Sequence, residues 1–296
     1  MESGFELWCN SSKVVKLDDE GLITSYQLYS SGIQILASVG EAYGTLFGTS
    51  YVRDANGNVV VDANGLLKIS TTNKTLGKFT PDWTGGISNT FSYRSLSLSF
   101  LIDASVGGSI FSNTNKTGKY TGVLANTLSG RDAEHGGLWY YTDAMGNNVR
   151  LSESPSYSVS SDGLYYAQVN GQSTRVYQDG IMVEGVTESG SKNEEVVSAE
   201  KYYHRIYSIA EANVYDASYV KLREVALSYR LPRLWTQKLH LQEASVTLTG
   251  RNLWTIYKSV PNIDPESALT TGNAQGVEAY SLPTTRSFGV NLSVKF

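Results

Sequence analysis

The sequence has little of several features that define common protein classes. Its single cysteine, Cys9, excludes an intrachain disulfide. Charged residues make up 18% of the chain, below the roughly 25% of an ordinary soluble domain. No apolar run approaches the ~18 residues that predict a membrane-spanning helix. The formal net charge of −4 gives no indication of a nucleic-acid partner.

Signatures of catalysis and of metal binding are also missing. The three histidines, His135, His204 and His240, are scattered, and none has a partner at metal-ligand spacing. The chain contains neither a Gly-x-Ser-x-Gly elbow nor a phosphate-binding loop. We therefore predict that the protein is not an enzyme and that it has no metal site and no cofactor.

The alternative to a protein without a cofactor is a calcium-binding loop at residues 54–65. Two Asp-Ala-Asn-Gly sequences there each end in Asn-Gly, the strongest short turn signal, which predicts a small hairpin within a loop. Asp54, Asn56 and Asn58 do occupy alternate positions. However, the EF-hand pattern requires Gly where Val59 stands and Glu where Gly65 stands, so the hairpin is favoured.

What the sequence does contain indicates β-structure. Tyr and Gly are abundant, at 20 and 28 residues, as expected for strands and turns. Residues 286–296 alternate without error and place five apolar side chains on one face, against Ser, Gly, Asn and Lys on the other. Such a strand exceeds the usual ~5–6 residues and approaches the ~9–11 that cross a bilayer. The five apolar residues are Phe288, Val290, Leu292, Val294 and Phe296.

Further strands are predicted by the same period of two. They cover 87–93, 96–103, 215–231 and 244–256, with a bulge near Gly250 and a shorter, Gly-interrupted strand at 43–51. The first ~40 residues carry no clean alternation. Successive antiparallel strands run in opposite directions across a membrane. If the final strand ends on the periplasmic side, the Arg94 turn and the Pro232 connection therefore lie on that side too. The long segments 52–82, 107–213 and 258–283 then all lie on the other side, which is the rule for outer-membrane barrels. The alternative is a soluble sandwich, which has no reason to sort its loops.

Several motifs resemble one family of barrels. They occur in order across roughly 39–296 and are FTPDW at 79–83, GG at 85–86, FSY at 91–93, DASYVKLREVALSYRLP at 216–232, GRNLW at 250–254, NIDPE at 262–266, GNAQG at 272–276 and SLPTTRSFG at 281–289. The chain thereby resembles the SusC/RagA family of TonB-linked outer-membrane proteins. The expected fold is all-β, the C-terminal part of a large antiparallel transmembrane β-barrel with long extracellular loops.

The resemblance implies import across the outer membrane of a Gram-negative cell. SusC-like proteins take up oligosaccharides or peptides together with a SusD-like surface lipoprotein, and the TonB complex supplies energy through the N-terminal region. No TonB box, plug domain or first half of the barrel is found in residues 1–296, and about six strands are too few to close a large barrel. No signal peptide follows Met1. We expect the chain to be the C-terminal portion of a transporter, with 107–213 as a long extracellular loop region, and to be inactive alone.

Aromatic residues within the polar segment 107–213 are candidate contacts for a substrate or a partner. Their ring faces, with Asn, Asp and Gln nearby, suit sugars and also protein interfaces, although they could instead pack the loop. Tyr229, Trp235 and Trp254 are interpreted as barrel or membrane-interface residues. The candidates are Trp139, Tyr140, Tyr141, Tyr157, Tyr165 and Tyr166. A stand-alone, surface or secreted glycan-binding β protein is the alternative function.

The terminal strand generates a first prediction. Its apolar alternation ending in Phe296 resembles the signal recognised by the outer-membrane assembly machinery, so Phe296→Ser in the full-length protein is expected to lower the amount of folded protein in the outer membrane. The measurement is the folded fraction in outer-membrane preparations. Unchanged levels would show that Phe296 is not an assembly determinant.

Overall fold

The computed structural model describes residues 2–238 and 240–296, and most of its regular structure is β-strand. The helices are α1 (Asn113–Thr121), α2 (Ala199–Tyr207) and α3 (Arg233–Lys238), with short 3₁₀ turns at Ala125–Thr127, Ala133–His135 and Glu211–Asn213. The strands are β1 (Glu2–Cys9), β2 (Ser25–Ser30), β3 (Gln34–Ser38), β4 (Thr45–Gly48), β5 (Lys74–Lys78), β6 (Trp83–Tyr93), β7 (Leu96–Val106), β8 (Ser109–Ser112), β9 (Leu138–Thr142), β10 (Asn148–Arg150), β11 (Tyr157–Val159), β12 (Tyr165–Val169), β13 (Gln172–Met182), β14 (Val196–Ser198), β15 (Val214–Asp216), β16 (Tyr219–Arg230), β17 (Glu243–Lys258), β18 (Val277–Glu278) and β19 (Ser287–Lys295).

The long strands form one antiparallel sheet in the order β1-β6-β7-β16-β17-β19. Because side chains alternate along a strand, each strand contributes to two faces. We call the apolar face the outer face and the polar face the inner face. One register row of the outer face crosses five strands and consists of Phe91, Leu98, Leu227, Leu248 and Val290. All five side chains are exposed, so the sheet presents a continuous apolar band.

Aromatic residues mark the two ends of this outer band. Tyr93 and Tyr229 lie at the end where β6 turns into β7, and Trp254 lies at the opposite end, paired with Leu222. The seven steps along the strand from Leu222 to Tyr229 span about 23 Å at ~3.3 Å per residue. An apolar band of ~25 Å between two aromatic girdles is the exterior of a transmembrane barrel.

The connections between these strands are sorted by length. The β6–β7 turn is only Arg94-Ser95, with Arg94 in the left-handed region at φ 55°. In its described residues, the β16–β17 connection contains the short helix α3 and no strand. Residues 10–82, 107–218 and 259–286 all leave from the other end of the sheet. The sorting predicted from strand parity is therefore confirmed.

The three long segments fold together beyond the sheet. Strand β8 pairs with β15 and, in parallel, with β18, so segments on either side of β16 and β17 meet in one small sheet. A shared apolar core joins Ile35 and Leu46 of the first segment to Phe111 of the second and Val277 of the third. The remaining small sheets are β2-β3-β4-β5 and β10-β9-β13-β12-β11, with β14 on β13.

The structure adds elements that the sequence pattern did not reveal. Strands β1, β2 and β3 lie within the first ~40 residues, where no element was predicted, and β1 is an edge strand of the main sheet. The segment 107–213, which has little sustained period, contains β8 to β14 and two helices. Most of these strands have three to five residues, too few to display the period of two, and the 11-residue β13 mixes polar and apolar residues on both of its faces. Its position outside the membrane stays a prediction.

In the described ranges, no helix is long and apolar enough to cross a membrane. Helix α1 is capped at its start by Ser112, whose hydroxyl accepts from the Asn115 N–H, and at its end by Gly122 in the left-handed region. The fully buried Glu278 also stabilises the start of this helix. Its carboxylate accepts hydrogen bonds from the Ser112 hydroxyl at 2.7 Å and from the Thr114 hydroxyl at 2.6 Å. The carboxylate thus satisfies donors at the positive end of a helix, where negative charge is favoured.

Glu278→Gln provides a second prediction. The substitution keeps the side-chain size but turns an amide N–H toward hydroxyl and backbone donors, which we expect to lower the local free energy of unfolding by about 1–3 kcal/mol. Hydrogen exchange of 112–121 measures this change. The matched control is Glu194→Gln, at an exposed position. Equal exchange in the two variants would contradict the prediction.

Candidate functional site

The inner face of the sheet carries a cluster of charges at the end nearest the long segments. Lys221 of β16, only 2% exposed, donates to Asp264 Oδ1 and to Glu266 Oε2, each at 2.6 Å. Both carboxylates belong to the segment 259–286, between β17 and β19. One buried ammonium therefore holds this segment against the inner face.

Arg223 extends the cluster across the sheet. Its guanidinium donates through Nη1 to Glu266 Oε2 at 2.8 Å and through Nε to Asp103 Oδ2, on β7, at 2.7 Å. The Tyr219 hydroxyl donates to Glu266 Oε1 at 2.9 Å. Arg223 thus joins two strands and one loop segment. Its planar guanidinium offers several N–H donors, which suits arginine to this role.

Irregularities in the strands explain why so many charges converge here. The register shifts between Leu222 and Glu224, where β16 has one more residue than β7 and β17 has one more than β16. A bulge of this kind changes the side-chain phase, so Arg223 and Glu224 both reach the inner face. Asn252, at φ 51°, lies in the extra residues of β17. The bulge predicted near Gly250 is confirmed.

The loop segment also supports its own carboxylates. The Thr284 hydroxyl donates to Asp264 Oδ2 at 2.6 Å, and the Glu266 N–H donates to Asp264 Oδ1 at 3.1 Å. Burial alone would raise the pKa of Asp264, but the hydrogen bonds from Lys221 and Thr284 outweigh it and lower the pKa to about 2. The pKa of Glu266 is likewise lowered, because Arg223 and Lys221 offset its burial. Both groups remain ionised at neutral pH.

Beside this cluster the inner face has an open depression of about 470 Å³. Arg251 donates to Glu224 at 2.7 Å on its wall, and Trp8 of β1 is exposed at its rim. Charged groups of both signs next to an aromatic ring suit a polar ligand or the polar surface of another protein segment. The described residues include no group of three or more His, Cys, Asp or Glu that could hold a metal ion.

The predicted loop aromatics divide into buried and accessible members. Trp139 and Tyr140, on β9, are both buried, and Trp139 stacks on Tyr157 with ring centroids 5.1 Å apart. Tyr165 packs edge-on against Trp139 at 5.7 Å. Tyr157 is 48% exposed and offers the most accessible ring of the set, whereas Tyr141, Tyr165 and Tyr166 are half-buried. Much of the ring surface of these six aromatic residues is therefore buried in packing within the protein. Direct contact between any of them and a substrate stays a prediction.

A separate depression of about 570 Å³ lies elsewhere in the same region, near Lys119, Tyr202 and Tyr203. None of the six predicted aromatics lines it. Burial lowers the pKa of Lys119 to about 8, and its ammonium donates to the Ala212 carbonyl at 2.9 Å. The sequence offers no signal for this depression, because Lys119 and Tyr203 are 84 positions apart and meet only through the packing of α1 on α2.

The remaining predicted residues occupy simple environments. The apolar side chains of β19 are exposed on the outer face, and Phe296, directly after the strand, is exposed too. In the segment 54–65, the alternative calcium loop, both carboxylate oxygens of Asp54 accept hydrogen bonds from Asn58, and one also accepts from the Asn56 N–H. These bonds close a tight turn and leave the carboxylate engaged. Of the histidines, His135 is bonded to Asp132 and His204 is stacked on Tyr120.

Comparison with known proteins agrees with this geometry. No protein-family model matches the sequence. A curated relative, TonB-dependent receptor P3 of Formosa agariphila, is 24% identical over 286 residues, which cover 94% of this chain and 22% of the relative. The structure of the RagAB peptide importer in the 'closed-closed' state matches with a TM-score of 0.52 and 16% identity, covering 99% of this chain and 27% of that one. The 'open-open' state matches equally well.

The amphipathic sheet with sorted connections defines the class of fold: a section of antiparallel transmembrane β-barrel wall, as in the RagAB structures. The resemblance to SusC/RagA-type, TonB-linked outer-membrane proteins is confirmed by the curated relative and the RagAB structures. The chain spans about a quarter of the length of the proteins it matches.

Lys221→Met tests whether the charge cluster holds the segment 259–286. Removing the ammonium leaves Asp264 buried without its cation, which typically costs about 3–5 kcal/mol. We expect faster proteolytic cleavage within 259–286 while the strands stay protected. Lys295→Met is the control, since that lysine is also on the wall but is exposed and makes no hydrogen bond to the segment 259–286 in the described contacts. Equal cleavage in the two variants would assign the attachment to other contacts.

Proposed function

We propose that this chain is part of a TonB-dependent transporter in the outer membrane of a Gram-negative cell. The complete transporter imports oligosaccharides or peptides together with a SusD-like surface lipoprotein. The chain supplies wall strands and outer loops, and it acts only as part of the longer barrel. The TonB complex engages a region outside this sequence.

One observation carries this proposal: the opposite character of the two faces of the six-stranded sheet. The outer face is an apolar band about 23 Å tall at ~3.3 Å per residue, bounded by aromatics. The inner face carries Lys221, Arg223, Glu224 and Arg251. A soluble sandwich would pack the apolar face of this sheet against a second sheet. In the described chain the exposed row from Phe91 to Val290 has no such cover.

The charge cluster suits a transport pathway. It fixes the segment 259–286 to the inner wall through Asp264 and Glu266, so this segment borders the entrance to the lumen as a fixed structure. Next to it, the depression beside Arg251 and Trp8 offers charge of both signs and a ring face to a passing polar solute. No step of this proposal needs a nucleophile or a general base, which accords with relatives described as a receptor and as importers.

Substrate class is the finer part of the proposal. The RagAB structures are described as those of a peptide importer, which supports a peptide. The exposed ring of Tyr157 beside polar residues also suits a sugar. Both classes are polar and too large to enter by diffusion through a narrow pore, so energised import by a gated barrel fits either.

Uptake in cells tests the proposal. Deleting the gene is expected to abolish uptake of one labelled class, oligosaccharide or peptide, and deletion of TonB is expected to give the same loss. Complementation with the complete gene should restore uptake, whereas a gene for residues 1–296 alone should not. The alternative of a stand-alone glycan-binding protein makes the opposite prediction. In that case residues 1–296 would fold in buffer without detergent and bind glycan.

A further inference from the structure

We propose that the β16–β17 connection is an interfacial anchor that binds the headgroups of anionic phospholipids. This inference rests on the proposed function, because it requires the outer face of the sheet to lie in a bilayer. Its occupant is the lipid surface at the end of the wall that carries the short connections. Helix α3 and the charges around it provide the contacts.

The first observation is the exposure of large apolar side chains on α3. Leu234 is 74% exposed and Trp235 is 57% exposed, while Thr236 is buried against the connection. At 100° per residue, Leu234, Trp235 and Lys238 lie within about 100° of one another and point away from Thr236. The helix thus presents an apolar face with a basic residue at its centre.

The position of α3 at the end of the apolar band argues for a lipid surface over this face. The outer face ends at Tyr93 and Tyr229, and α3 begins three residues after Arg230. An amphipathic ring such as that of Trp235 prefers the headgroup level, just beyond the apolar band. Lysine in such a place extends its apolar stem along the lipid and keeps its ammonium among the headgroups.

The excess of basic side chains at this end of the sheet favours anionic lipids. Residues 93–96, 230–243 and 295 contain five basic side chains and one acidic side chain, within a chain that has 24 basic and 28 acidic residues. Arg230 pairs with that acid, Glu243, at 2.9 Å. Arg94, Arg233, Lys238 and Lys295 form no ion pair with a side chain in the parts of the chain that are described. Unpaired basic residues at a membrane surface attract anionic headgroups at about 1 kcal/mol each, or roughly fivefold in relative affinity.

The experiment uses the complete protein in nanodiscs. An environment-sensitive dye is attached through Leu234→Cys in a Cys9→Ser background, and the control label is at Ser189→Cys, in an exposed turn of the long loop region. We expect blue-shifted emission at position 234, with quenching by phospholipids that carry a headgroup nitroxide. Emission at position 234 equal to that at 189, in a protein that has inserted normally, would overturn the anchor alone. Failure to insert into any bilayer would overturn the proposed function as well.

Charge selectivity is measured by comparing quenching by anionic and by zwitterionic nitroxide lipids. In Arg233→Gln/Lys238→Gln the preference for the anionic lipid is expected to fall by up to about fivefold per charge removed. The control pair Lys192→Gln/Lys201→Gln changes two exposed lysines of the loop region and should leave the preference unchanged. A preference that is absent in the unmodified protein, or equal in both double variants, would overturn the recognition of anionic headgroups.

Discussion

Lys221 places its ammonium group at a position that is 2% exposed, and this group organises the junction between the wall and the outer segments. Burying an ammonium is costly unless its partners are close and well oriented. Here Asp264 and Glu266 provide two carboxylates at 2.6 Å, and Arg223 neutralises the second of them. The segment 259–286 is therefore held against the inner face.

The same cluster gives a physical meaning to the sequence motifs. VKLRE, GRNLW, NIDPE and LPTTR are scattered over about 65 residues of sequence, yet Lys221, Arg251, Asp264 and Thr284 all lie at this junction. The spacing of the motifs reflects strand and loop lengths. Their residue types reflect the need to compensate buried charge with charge and with hydrogen-bond donors.

The outer segments form their buried core in a different way from the charge cluster. They are polar in sequence, but 10–82, 107–218 and 259–286 combine their few apolar residues in common cores and use Glu278 to complete a helix start. Trp139 and Tyr140, which look like exposed binding residues in a polar sequence, contribute to packing instead. Tyr157 remains accessible on the surface of the same aromatic group.

The sequence by itself determined the class of fold, because a period of two repeated in long strands fixes which side chains face lipid and which face the lumen. It also determined the sorting of the loops and the bulge in β17. Only the tertiary structure decided that β1 joins the sheet, that 107–213 is folded, and that Lys221 and Arg223 meet Asp264 and Glu266. The charge cluster and the place of β1 depend on contacts between residues more than 40 positions apart and on bulges that shift the side-chain phase, and the folding of 107–213 depends on short hairpins. None of these leaves a periodic trace in the sequence.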